Sequence, residues 1–222
     1  MFYRLCRLVC LVLFRVGWRP DVEGREHIPA DGPLIVASNH LSFIDSIVIP
    51  LVVPRKVVFL AKAEYWEGRS PAAWPRRLFF AAFEAVPVQR AQQHDAQASL
   101  DLARGVLARG HAFGIYPEGT RSRDGRLYRG RTGVGWLALA SGAPVVPVGL
   151  VGTDRMQPIG STVPRPVRGV RIRFGVPVQP ADYADLPPGR ARREITDVVM
   201  DRVAALSGQE LAGGYNERTS AV

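Results

Sequence analysis

Apolar residues fall along this chain in two alternating patterns. Short unbroken runs, bounded by glycine, proline or charge, recur at 33–38 ("PLIVAS"), 56–61 ("KVVFLA"), 85–88 ("AVPV"), 112–116 ("AFGIY") and 144–152 ("PVVPVGLVG"). Runs of this length and β-branched content predict buried strands. "GVRIRFG" (169–175) alternates strictly and predicts an edge strand. Between these lie segments with a helical period: 43–52, 74–83, the polar-faced 92–109 ended by Gly110, 132–141, and the amphipathic 190–207. Strand and helix patterns that alternate in this way require a layered α/β domain. No internal repeat or low-complexity tract interrupts them.

The first twenty residues, "MFYRLCRLVCLVLFRVGWRP", follow neither pattern. Their longest apolar run, between Arg7 and Arg15, is far shorter than the 20 or so residues of a membrane span. No small-residue cleavage site follows it before Pro20. At helical spacing Arg4, Arg7 and Arg15 share a narrow stripe beside Trp18, under a wide apolar arc. That predicts an amphipathic helix over 1–19 lying in a bilayer interface, arginines at headgroup level; the alternative is a helix packed on the protein's own core. A folded domain over 20–208 and a frayed tail over 209–222 complete the expected organisation.

Composition sharpens one point. The net charge is +9, and of 29 basic residues only Lys56 and Lys62 are lysine. Arginine's planar fork favours bidentate pairing with phosphate or carboxylate. Partners of that chemistry include an anionic membrane surface, a phosphorylated substrate or a nucleic acid. The nucleic-acid reading calls for aromatics interleaved among the arginines, and in the loop 117–131 only Tyr128 qualifies. Cys6 and Cys10 form neither a disulfide framework nor a zinc quartet, and the four histidines are too scattered for a metal site.

Familiar catalytic signatures are absent: there is no nucleophile elbow, no phosphate-binding P-loop and no dinucleotide-binding glycine turn. Two corners after predicted strands carry the candidate chemistry. In "NHLSFID" (39–45) a histidine, His40, precedes Asp45 by five positions. A histidine can lift a proton from a hydroxyl near neutral pH, and a carboxylate on its other ring nitrogen fixes the tautomer. The substrate's own alcohol would then be the nucleophile. Ser42 and Asp45 also match a helix capping pattern, so the aspartate has a purely structural alternative. In "YPEGTRS" (116–122) Glu118 and Arg121 flank Gly119 and Thr120, and the arginine suits a phosphate. Ligands of open α/β sheets bind at strand ends, where both corners are expected.

Together, in this order and separation, "NHLSFID" and "YPEGTRS" resemble the first and third motifs of the glycerolipid acyltransferases, most closely those that acylate 1-acyl-glycerol-3-phosphate. "AVPVQR" and "APVVPVGLVGT" fit the second and fourth, and the likeness covers about residues 21–178. Glu84, Gln89 and Tyr116 depart from it, where glycine, an acid and phenylalanine are common. The resemblance implies a mixed sheet flanked by helices, with the N-terminal amphipathic helix facing the membrane. It implies that His40 is the general base with Asp45 its orienting partner. It further implies that Glu118, Gly119, Thr120 and Arg121 bind the glycerol phosphate with Arg90 and Lys62, and that Pro147 shapes the acyl side. The expected reaction moves an acyl group from a thioester, acyl-CoA or acyl carrier protein, to the sn-2 hydroxyl of lysophosphatidate, without cofactor or metal. The expected location is the cytoplasmic face of the cell membrane. A different lysolipid acceptor is the alternative within the same fold.

Overall fold

The computed structural model describes residues 2–62, 86–88 and 96–217, with side chains at 7–60 and 96–217. Helix α1 (Phe2–Trp18) leads into strand β1 (Asp21–Glu23), a 3-10 turn (Arg25–His27) and β2 (Leu34–Ser38). Helix α2 (Asp45–Val52) and strands β3 (Val57–Val58), β4 (Leu60–Lys62) and β5 (Val86–Val88) follow, then α3 (Ala96–Ala108) and β6 (Ala112–Ile115). Next come α4 (Gly133–Ser141), β7 (Val145–Val151), the short α5 (Thr153–Met156), β8 (Arg171–Phe174), a 3-10 turn (Pro180–Tyr183) and α6 (Pro188–Ser207). The expected helix over 74–83 lies outside the described residues, as do Glu84, Gln89, Arg90 and the start of the helix expected at 92.

Six strands form one sheet in the order β1-β8-β7-β2-β6-β3, parallel except where β7 meets β8. This is the mixed α/β architecture that the motifs implied. All five residues of β2 are buried, because the strand is covered on both faces. Leu34 and Val36 join a cluster with Phe14, Val48 and Ile49 from α1 and α2. Ile35 and Ala37 join the opposite cluster with Ala103, Leu137, Ile195 and Val199 from α3, α4 and α6. The uninterrupted "LIVA" run is therefore the signature of a central strand between two helical layers.

Four expectations are corrected. The alternating 169–175 segment is not an edge: β8 sits between β1 and β7. Its pattern arises because Ile172 and Phe174 enter the core while Arg173 reaches across to Glu23 on β1. The edge on this side is β1, three residues long with two carboxylates, a form that discourages further pairing. Second, 56–61 is not one strand. Val57 and Val58 pair with β6, whereas Leu60–Lys62 pairs with β5 in a separate two-stranded sheet. Between them the buried Phe59 packs its ring against Gly114, where a Cβ would lie 2.1 Å from the ring.

Third, the arginines of α1 do not all face outward. The Arg7 guanidinium donates to the carbonyls of Pro50, Leu51 and Val53, at the end of α2 where helical carbonyls lack intrahelical donors. Phe14 is buried against the domain, and Trp18 donates its indole N–H to the Arg165 carbonyl at 2.7 Å. The opposite face presents Leu8, Val9, Val12, Leu13 and Val16 to solvent. Fourth, residues 209–217 are not a frayed tail. They run beside the 121–131 loop, with Leu127 and Leu211 in a parallel bridge.

Candidate active site

Strands β2 and β6 are parallel neighbours, with Ala37 opposite Ile115. His40, two residues past β2, and Glu118, three past β6, therefore emerge at the same end of the sheet. The Asn39 amide binds β7 as a peptide group would: Nδ2 donates to the Leu150 carbonyl at 2.9 Å and Oδ1 accepts the Leu150 N–H at 2.8 Å. The corner is thus anchored one residue before the histidine.

The His40 Nδ1 lies 2.9 Å from Asp45 Oδ2. Asp45 is fully buried, whereas the His40 side chain keeps 16% exposure. The same carboxylate oxygen accepts the N–H groups of Leu41 and Ser42, each at 2.7 Å. The bond to Ser42 closes the turn between Ser42 and Asp45; the serine hydroxyl donates to the Gln157 carbonyl and accepts the Ile44 N–H at 3.4 Å. Helix α2 begins at Asp45 with Ile44 as its N-cap and no side-chain cap among the described residues, and the turn that leads into it carries Asp45 to the imidazole. With Nδ1 engaged by the carboxylate, Nε2 is left to accept a proton.

The second corner is clamped to the first. The Ser122 N–H donates to the His40 carbonyl at 2.8 Å. Glu118 accepts the His40 N–H on one oxygen and the Tyr128 N–H on the other, both at 3.0 Å. Both oxygens of this fully buried side chain are occupied by backbone donors. Glu118 braces the two corners together, and the direct contact with glycerol phosphate implied for it is not the geometry found. Burial pushes its carboxyl up to about 7, against the two amide bonds that favour the ionised form. Gly119 adopts φ +80°, a left-handed conformation that a side chain would strain.

Arg121 and Thr120 line a cavity of about 200 Å³ with Arg123, Asp124, Tyr128, Asn216 and Glu217. Among the described residues, no carboxylate or carbonyl engages the Arg121 guanidinium. Asp124, by contrast, is paired with Arg126 and accepts the hydroxyls of Ser122 and Tyr128. Lys62 closes β4, and its side chain lies outside the described residues. Pro147 stands mid-strand opposite Ala37, its ring against Gly175, so it packs within the sheet and not on the Arg121 cavity.

A further contact was not among those the motifs implied. The rings of Tyr116 and His40 stack at 3.8 Å between centroids and 8° between planes, and Phe59 lies behind Tyr116 at 5.4 Å. The Tyr116 hydroxyl and the Ser46 Oγ are 2.8 Å apart. Burial, and then the Asp45 charge, push the phenol well above its usual range. The one available signal was the motif departure, tyrosine where phenylalanine is common, which now has a partner on α2.

Residues 19–151 match the family model described as acyltransferase. The chain is 29% identical over 181 residues to the chloroplastic 1-acyl-sn-glycerol-3-phosphate acyltransferase BAT2 of Brassica napus, covering 81% of this chain and 51% of that protein. It is 24% identical over 210 residues to the 1-acyl-sn-glycerol-3-phosphate acyltransferase of Bacillus subtilis, covering 93% and 98%. The chain thus spans about half the length of the plant relative and nearly all of the bacterial one. The crystal structure of the 1-acyl-sn-glycerophosphate (LPA) acyltransferase PlsC from Thermotoga maritima superposes with a TM-score of 0.64 at 27% identity, covering 91% of this chain and 82% of that one.

Proposed function

The chain belongs to the acyltransferase family, and we propose that it transfers a fatty acyl group from a thioester to the sn-2 hydroxyl of 1-acyl-glycerol-3-phosphate, forming phosphatidate. The observation that carries this reading is the His40–Asp45 bond of 2.9 Å at the end of a parallel strand, with an arginine-lined cavity on the adjoining corner. His40 Nε2 takes the proton of the sn-2 hydroxyl as its oxygen attacks the thioester carbonyl. Asp45 holds the imidazole and supports the positive charge that forms on it. The tetrahedral intermediate collapses with cleavage of the C–S bond, and the departing thiolate takes the proton from the imidazolium. Acyl-CoA or an acyl carrier protein supplies the thioester. Arg121 pairs with the acceptor phosphate, an assignment shared with Arg90 and Lys62 from the motif resemblance.

The same reading places the protein on a membrane. Among the described residues no helix is long and apolar enough to cross one. The outer face of α1, Leu8, Val9, Val12, Leu13 and Val16, is instead a continuous apolar strip of the kind that lies in the headgroup boundary. The net charge of +9 favours an anionic surface, and a water-soluble thioester donor favours the cytoplasmic side.

A panel of lysolipid acceptors with a labelled acyl donor tests the proposal. Lysophosphatidate, a phosphate monoester, should be preferred over lysolipids whose phosphate carries a second ester. A stronger preference for another headgroup would reassign the acceptor within the family. Removal of residues 1–18 should release the protein from anionic vesicles; full retention at moderate salt would remove α1 as the anchor.

A further inference from the structure

The segment after α6 makes a set of bonds that neither the motifs nor the family match, which ends at residue 151, accounts for. Gly208 turns the chain with φ +70°, and the next nine residues are laid along the loop that carries Arg121. The Leu127 N–H donates to Glu210 O at 2.8 Å, the Ala212 N–H to Leu127 O at 2.9 Å, and the Arg129 N–H to Gly214 O at 2.8 Å. Arg131 donates to Asn216 O, and the guanidinium groups of Arg129 and Arg131 lie 5.3 and 5.6 Å from the centre of the Tyr215 ring.

Two side chains extend these contacts to the site. Gln209 donates to the Gly125 carbonyl and accepts from Asn39, each at 2.7 Å, so one residue joins the loop to the amide before His40. Asn216 donates to the carbonyl of Arg121 itself at 3.3 Å. Asn216 and Glu217 also form one wall of the Arg121 cavity. Its volume, about 200 Å³, is below the roughly 300–1,000 Å³ of pockets for drug-sized ligands, so it suits a headgroup and not an acyl chain.

We infer that residues 209–217 are a strap that completes the headgroup pocket and sets the position of Arg121, making the C-terminal segment a determinant of acceptor affinity. This rests on the assignment of Arg121 to the acceptor phosphate. The strap touches the loop backbone at Arg121, Gly125, Leu127 and Arg129, while Glu118 and the His40 carbonyl hold the loop from the other side. Without it His40 and Asp45 keep their mutual bond and Asn39 keeps its two bonds to Leu150, while Arg121 loses the Asn216 bond to its carbonyl. The strap therefore acts on acceptor binding and not on the proton transfer.

The test compares the full chain with a variant ending at Gly208, a control ending at Glu217, and the point variants Asn216→Ala and Gln209→Ala. The variant ending at Gly208 should raise acceptor KM about tenfold or more, with donor KM within twofold and the amides of Leu127 and Arg129 losing hydrogen-exchange protection. Each point variant should raise acceptor KM roughly three- to tenfold, the effect of loosening one or two hydrogen bonds. The control should match the full chain. Acceptor KM unchanged in both point variants overturns the inference, even if the shortened chain fails to fold. A fall in kcat and a rise in both KM values together would mark the strap as a fold element only, and also overturns it. If the full chain acylates no lysophosphatidate, the reaction reading fails separately. The strap is then decided by NMR titration with glycerol 3-phosphate, where affinity equal in the full chain and both point variants overturns it.

Discussion

Asparagine at position 45 separates the charge of that side chain from everything else it does. In the structure Asp45 Oδ2 receives three donors, from His40 Nδ1, Leu41 N–H and Ser42 N–H, while the buried Oδ1 has no partner among the described residues. In Asp45→Asn the two backbone donors select the orientation, because the amide nitrogen cannot face two N–H groups. The asparagine oxygen takes the place of Oδ2, His40 keeps its proton on Nδ1, and Nε2 remains the acceptor. The tautomer survives and only the charge is lost.

The magnitude follows from that loss. A carboxylate and an imidazolium about 4 Å apart attract by about 4 kcal/mol at an effective dielectric of about 20. That is an upper bound of about a thousandfold in rate, since the imidazolium is only partly formed in the transition state. We expect kcat to fall about 10²–10³-fold, with acceptor KM within twofold. The amide nitrogen, buried where Oδ1 has no partner, should cost about 1–3 kcal/mol, or about 3–10 °C in Tm. Initial rates with labelled donor at saturating acceptor, alongside thermal unfolding, measure both. A folded variant with more than half of parental kcat would refute the reasoning: Asp45 would then serve only the turn at Leu41 and Ser42.

Tyr116→Phe keeps the ring on His40 and loses the Ser46 contact, so kcat should stay near parental and stability fall by about 1 kcal/mol. Tyr116→Leu removes a stack typically worth about 0.5–1.5 kcal/mol, and kcat should fall about two- to tenfold with both KM values unchanged; parental kcat in the leucine variant would exclude a positioning role. Glu118 gives a pH signature. Its carboxyl titrates at about 7 when folded against an ordinary 4.5, so between those values the folded state binds more protons than the unfolded one. Stability from this group is therefore full below about pH 4.5 and declines as pH rises through 7, by up to about 3 kcal/mol. Unfolding of the parent and of Glu118→Gln across pH 4.5–8 should show the parent losing ground steadily to the variant; a constant difference would contradict the burial argument.

Local chemistry made much of this protein legible from its sequence. Strands buried on both faces need unbroken apolar runs, so β2, β6 and β7 are visible as such. The His40–Asp45 interval is closed by a single turn, and that turn needs only the residues between them. Tertiary structure decided what depends on distant chain segments. Whether an alternating strand lies at an edge depends on its neighbours, and the three-residue strand Asp21–Glu23 took the edge from β8. Arg7 looks like a headgroup ligand until α2 presents its free carbonyls some 43 residues later. The role of Glu118 was hidden because its partners are amides, which every residue carries and no side-chain pattern advertises. Tyr116 meets His40 and Ser46 only because β6 lies beside β2. The strap over 209–217 was unreadable for a related reason: the three bonds that lay it along the loop at Leu127 and Arg129 are backbone to backbone, so a polar, glycine-rich segment looks the same whether it is free or bound to the loop that carries Arg121.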